Sequence, residues 1–169
     1  IALADEKDAA VEVKVFNGQN DSSILNQIGA KVVSDGYDAV IPIATLAATC
    51  MVTATEETDI PVVYAAISDP ESAGLVDIAN VTGTSDALNT AFILDMMFAV
   101  QPDIKTVGLL YSRSEVNSET PIAQAKEYLD AKGVKYIEKT GNTTDEVLSA
   151  ACELAERCDA VFTPTDNVV

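Results

Sequence analysis

Apolar positions along this chain follow two rhythms. Short runs rich in Val and Ile alternate with longer stretches in which apolar residues recur every three or four positions. "VEVKVF" (11–16) alternates residue by residue and predicts a strand. "SSILNQIGAKVVSDG" then predicts a helix, with Ile24, Ile28 and Val32 on one face and Gly36 as its stop. "YDAVIPIA" predicts a second strand, "TLAATCMVTATEET" a helix capped by Thr45, and "IPVVYAA" a third strand. "ISDPESAGLVDIANVTGTSDA" is rich in turn formers and lacks a period. Beyond it, "DALNTAFILDMMFAVQP" predicts a long helix ended by Pro102, with Asp86 in the cap position. The strands "KTVGLLYS", "VKYIEKT" and "DAVFT" then alternate with the helices "SETPIAQAKEYLDAKG" and "TDEVLSAACELAERC". The opening "IALADEKDAA" reads as the tail of an amphipathic helix.

Strand–helix alternation predicts an α/β fold with parallel sheets flanked by helices. In such sheets ligands bind beyond the carboxyl ends of the strands. Each predicted strand exits into small polar residues: Gly18, Gln19, Asn20 and Asp21; Ala44 and Thr45; Ser68 and Asp69; Ser112, Glu115, Asn117 and Ser118; Thr140, Gly141 and Asn142; and Thr163 to Asn167. Turn chemistry or helix capping accounts for any one cluster alone. Their common position is what suggests a site. The break in rhythm at Asn80–Asp86 divides the chain into a first lobe (1–79), an inter-lobe crossing (80–86) and a second lobe (87–169). Two such lobes around a cleft form a binding architecture that closes by a hinge.

Composition narrows the chemistry. The 169 residues include 27 acidic and 10 basic ones, a formal net charge of -17, which repels nucleic acid over most of the surface. There is no histidine, which removes histidine-based dyads and triads and the usual zinc sites. Cys50, Cys152 and Cys158 form no C-x-x-C pair, and Cys50 and Cys152 sit in apolar helical patterns that suit small core residues. No apolar run reaches the ~20 residues of a membrane span.

"NGQND", "AATCMVTATEETDIPVVYAAISDPESAGLV", "NVTGTSD", "GLLYSRSEVNS" and "DAVFTPTDN" occur in that order. Together they resemble the substrate-binding proteins of bacterial ABC transporters, in the family that includes binders of tryptophan and other aromatic amino acids. The resemblance implies a two-lobed type I periplasmic-binding-protein fold, monomeric when complete, without cofactor. It further implies membrane subunits of a transporter as partners and a place outside the cytoplasm, periplasmic or lipid-anchored on the outer face of the membrane. It implies that a first strand precedes Ile1 and that the rest of the second lobe follows Val169, so that this chain is a fragment. One departure is "DEKDAAVEV", which lacks the glycine usual between helix and strand in that family.

An amino-acid ligand needs donors for its carboxylate and an anion for its ammonium. Thr45 with the amides of Leu46 and Ala47 offers a helix start for the carboxylate, and Asn117 and Ser118 stand at a second. Asp166 is the first candidate for the ammonium and Asp86 the second, with Asn167 able to share a polar group. Gln19, Asn20 and Ser68 complete the candidate set. Asp69 before Pro70 reads as a turn former, Glu115 as solvated, Tyr64 and Tyr111 as core residues near strand ends, and Met96–Phe98 as helix packing. An enzyme is the less favoured class, since no nucleophile–base pair and no phosphate-binding glycine motif is visible. A ligand-sensing domain of a regulator or receptor shares the same fold and is distinguished by what is attached upstream.

Overall fold

Two apolar runs, one in each half of the chain, gather everything else around them. In the computed structural model, which describes residues 11–166, 168 and 169, they are β1 (Val62–Ile67) and β3 (Thr106–Tyr111). β1 pairs in parallel with β2 (Val81–Ser85), in the register Val62↔Val81 and Tyr64↔Gly83. β3 is the centre of a second parallel sheet in the order β4-β3-β5, with β4 at Lys135–Thr140 and β5 at Ala160–Phe162. Five of the six β3 residues are buried, as expected for a strand covered on both faces.

Helices cover the sheets where the sequence supplies caps and stops. α1 (Ser22–Asp35) begins at Asp21, whose carboxylate accepts from Ile24 N at 3.0 Å, and ends at Gly36 in the left-handed conformation. α2 (Thr45–Thr55) packs on α1 and on β1 through Leu25, Val32, Cys50, Met51 and Val62. In the second half, α3 (Thr90–Val100) and α4 (Glu119–Lys132) cover one face of the sheet through Leu94, Ile122 and Leu129. α5 (Thr144–Arg157) covers the other through Ala150 and Leu154 against Leu110. Asp159 fastens the entry of β5 to that of β3, accepting Lys105 N and Thr106 N at 2.9 Å each.

Several expectations need correction. Val11–Phe16 joins no sheet among the described residues, and Val11, Val13 and Val15 are exposed. Alternation assigns faces to a strand; it does not provide a partner. "YDAVIPIA" runs beside β1 but registers as two bridges, Val40↔Val62 and Ile43↔Ala65, because Pro42 has no N–H for the ladder. The stretch 80–86 contains β2 and so belongs to the first sheet. Of the stripe expected on α1, Val32 is buried and Ile28 packs against the core, while Leu25 and Gly29 are the other buried positions. Asn89, not Asp86, caps α3, accepting from Phe92 N at 3.1 Å. Cys152 is exposed; like Cys50 and Cys158 it is a free thiol. Met96 points outward, while Met97 and Phe98 pack on the core. The opening helical tail lies outside the described residues.

Gly83 sits where β2 crosses Tyr64 most closely. A Cβ there would lie 2.3 Å from the Tyr64 carbonyl oxygen, a backbone atom that cannot yield without parting the two strands. Gly83→Ala is therefore expected to cost about 1–3 kcal/mol. Urea denaturation compares it with Thr82→Ala at the exposed neighbouring position; equal stability of the two variants would refute the close approach.

Candidate ligand site at the strand ends

All five strands run the same way within their sheets, so their polar exits collect at the carboxyl ends. In the second sheet that end is organised by Asp166. Its Oδ2 accepts from Ser112 N at 2.7 Å and from Ser118 Oγ at 2.8 Å. Its Oδ1 accepts from Val168 N at 2.9 Å and Val169 N at 3.3 Å. An ionised carboxylate offers about four acceptor positions, so the chain's own donors fill this one. Among the described residues no cation pairs with it, and its negative charge stays uncompensated. The expectation that Asp166 bonds a ligand ammonium directly therefore gives way to a framing role.

Asn117 is held by the same frame. It lies in a 3-10 turn, Val116–Ser118, that leads into α4, and its Nδ2 donates to Thr165 O at 2.7 Å. Asn117 is 5% exposed, and its Oδ1 is buried with no hydrogen-bond partner among the described residues. Buried polar atoms are nearly always satisfied, so this acceptor marks a place where a donor is missing. Ser118 gives its hydroxyl to Asp166 and makes no side-chain cap on α4. Ser112 Oγ lies 2.6 Å from Ser114 Oγ and donates to Asn142 Oδ1 at 3.1 Å. Glu115, expected to be solvated, is buried: the turn from Ser112 to Ser118 folds back over the strand end through Ser118 N to Glu115 O at 3.0 Å.

At the first sheet, α2 starts beside the end of β1. Ala44 N donates to Ala65 O at 3.1 Å, and the first intrahelical bond runs from Ala48 N to Ala44 O. The amides of Thr45, Leu46 and Ala47 thus have no helical acceptor. Thr45 is the first helical residue, not the cap; the cap is Ala44, which makes no side-chain bond and holds φ 73 and ψ 158. That region is essentially reserved for glycine, costs about 1–3 kcal/mol, and clusters at ligand clamps. Ser68 Oγ donates to Asp86 Oδ1 at 3.2 Å, and Asp86 N to Ile67 O at 3.1 Å, joining the ends of β1 and β2.

Asp69 follows Ser68 and does form the expected turn: its Oδ1 accepts from Ser72 N at 2.9 Å and its Oδ2 from Ser72 Oγ at 2.7 Å. It also accepts from Thr120 Oγ1 at 2.6 Å, 51 residues away at the start of α4. This contact brings the Ser68–Asp86 pair and the Asn117–Ser118–Asp166 group to either side of one hydrogen bond. Gln19 and Asn20 stand apart, exposed in a turn with φ 52 and 54. Asn167 lies outside the described residues. Tyr64 and Tyr111 are core, the latter donating to Glu138 at 2.5 Å. A surface groove of about 610 Å³ between the start of α3 and α4 shares no residue with the strand-end groups. No cluster of metal-ligating residues occurs among the described residues, and no helix there is long and apolar enough to cross a membrane.

Two parallel α/β units with their polar strand ends brought together define a solute-binding architecture. The chain belongs to the ABC transporter substrate binding protein family, whose model matches residues 2–169. It is 34% identical over 164 residues to a tyrosine-binding protein of Clostridioides difficile, covering 94% of this chain and 47% of that protein. It is 34% identical to an ABC domain from Streptococcus pneumoniae solved in complex with L-Trp, with a TM-score of 0.87, covering 97% of this chain and 58% of the other. A leucine-binding protein of Thermotoga maritima, 14% identical, shares the fold with a TM-score of 0.70 over 96% of this chain and 49% of that one. The chain thus spans about half the length of these relatives. The family is one of binding proteins, and the chain's type I α/β fold is theirs.

Two outcomes follow from the carboxylates. Asp166→Ala strips Ser112 N, in a residue 0% exposed, of its acceptor, and is expected to lower stability by about 1–3 kcal/mol. A denaturation midpoint equal to wild type would remove Asp166 from the frame. Asp69 is held below the usual carboxylate range, first by Ser72 N–H and then by the Thr120 hydroxyl. A depressed acid stabilises the fold above its ordinary pKa of about 4, and that contribution is lost as pH falls through the lower folded value. Asp69→Asn should therefore be less stable at neutral pH and lose less melting temperature between about pH 6 and about pH 3 than wild type. Parallel melting curves across that window would contradict it.

Proposed function

We propose that the complete protein is the extracytoplasmic substrate-binding component of an ABC transporter and takes an amino acid, most favourably an aromatic one, between two lobes. The first lobe ends with β2 and the second begins with α3, so the division falls at residues 86–89. The single observation that carries the reading is the buried Asn117 Oδ1, without a partner among the described residues, next in sequence to Ser118, which bonds the uncompensated Asp166 carboxylate. An ammonium satisfies both: it donates to Asn117 and sits in the negative field of Asp166. The ligand carboxylate goes to the amides of Thr45, Leu46 and Ala47, which the strained Ala44 leaves open. The aromatic class is supported by the ligands named for the two relatives at 34% identity; Tyr64 and Tyr111, committed to the core, do not supply its wall. The protein works as a monomer, periplasmic or lipid-anchored on the outer face of the membrane, and hands its ligand to the transporter's membrane subunits.

The test is a thermal-shift screen of the full-length protein against the twenty amino acids. A true ligand at ~100 times its dissociation constant adds about 2.7 kcal/mol of stability. An aromatic amino acid is expected to give the largest shift, and Asn117→Ala to weaken its binding about tenfold or more, the worth of a hydrogen bond to a charged group. Melting without ligand separates this from the loss of the bond to Thr165. Absence of a shift with every amino acid would sink the proposal.

A further inference from the structure

We infer that the hydrogen bond from Thr120 to Asp69 is the latch that holds the two lobes together over the ligand; the inference rests on the two-lobe reading above. Asp69 lies in the turn after β1 of the first sheet, and Thr120 is the second residue of α4, which packs on the second sheet. The bond is short, 2.6 Å, and its acceptor is charged, which strengthens it.

Three features make this pair suited to the role. First, the acceptor is prepared in advance. Ser72 holds both oxygens of Asp69 from within its own turn, so the carboxylate need not be ordered again when Thr120 arrives. Second, the carboxylate comes to rest at the amino end of a 14-residue helix, where the helix dipole favours negative charge. Third, the position is placed to report on the ligand. Asp69 is adjacent to Ser68, and Thr120 is two residues beyond Ser118, so the bond joins the two halves of the proposed site without belonging to either. A bond made only when the lobes meet raises apparent affinity by increasing the fraction of molecules in the binding-competent state, and slows release.

The substitution Thr120→Val removes the hydroxyl at nearly constant shape. Thr120→Ala is the second variant should Val disturb the helix start, and Thr120→Ser restores the donor. In the full-length protein, with L-tryptophan and L-tyrosine as probes, Thr120→Val is expected to raise the dissociation rate and the Kd about tenfold, with unchanged circular dichroism. Thr120→Ser should return both toward wild type. Small-angle X-ray scattering of the ligand-free protein should show a larger mean radius for Thr120→Val. A dissociation rate unchanged in Thr120→Val and Thr120→Ala overturns the latch. If the wild-type protein binds neither amino acid, the aromatic preference fails instead, and the latch is decided by the scattering comparison, equal radii overturning it.

Discussion

A carboxylate at each end holds the shortest strand in place. β5 has only three residues and pairs with β3 at three positions, too few to fix a strand securely by its ladder alone. Asp159 accepts two backbone N–H groups at its entry, and Asp166 accepts Ser112 N and two further amides past its exit. Charge-assisted bonds of this kind are about twice as strong as neutral ones. The second sheet's share of the candidate site follows from the second clamp. It fixes the turn after β3, draws Ser118 away from capping its helix, and leaves Asn117 under Thr165 with one acceptor unanswered.

The repeated pattern of strand and helix was legible because it rests on local physics. Gly36 and Gly133 stop helices in the left-handed conformation, Asp21 and Thr143 cap them, and the Val/Ile runs of β1 and β3 are buried as runs. What failed was whatever depends on a distant partner. Val11–Phe16 alternates as a strand should, yet no described segment pairs with it. Asp86 has the form of a cap, but Asn89, three residues on, captures the amide. Asp166 was recognisable as a strand-end anion, while the four donors that occupy it come from turns whose geometry no period encodes. The bond between Asp69 and Thr120 spans 51 residues and leaves no local trace in either segment.

The two sides of the site are built on different principles. The second sheet presents side chains locked by one another: Ser112, Ser114, Asn142, Ser118 and Asp166 form a connected set with little freedom to rearrange. The first sheet presents backbone: three open amides at a helix start, exposed to use by an alanine held where glycine would rest more easily. Side-chain frames discriminate, because a misfit leaves buried groups unpaired. Open amides accept any anion of suitable size. The first half thus presents an unspecialised anion site, and the second a polar frame already fixed in shape.

Parallel pairing has a consequence for how the protein is made. β3 needs neighbours on both edges, yet the residue that closes its exit lies 54 positions later. During synthesis the strand leaves the ribosome with apolar side chains on both faces and with one edge able to pair only once β4 has been made. Non-local pairing of this sort slows folding, and an open apolar edge invites pairing with other chains. The interval between translation of Tyr111 and of Phe162 is thus the vulnerable period in the biogenesis of this half. A chaperone that shields the nascent segment through it would raise the yield of native protein without touching its final stability.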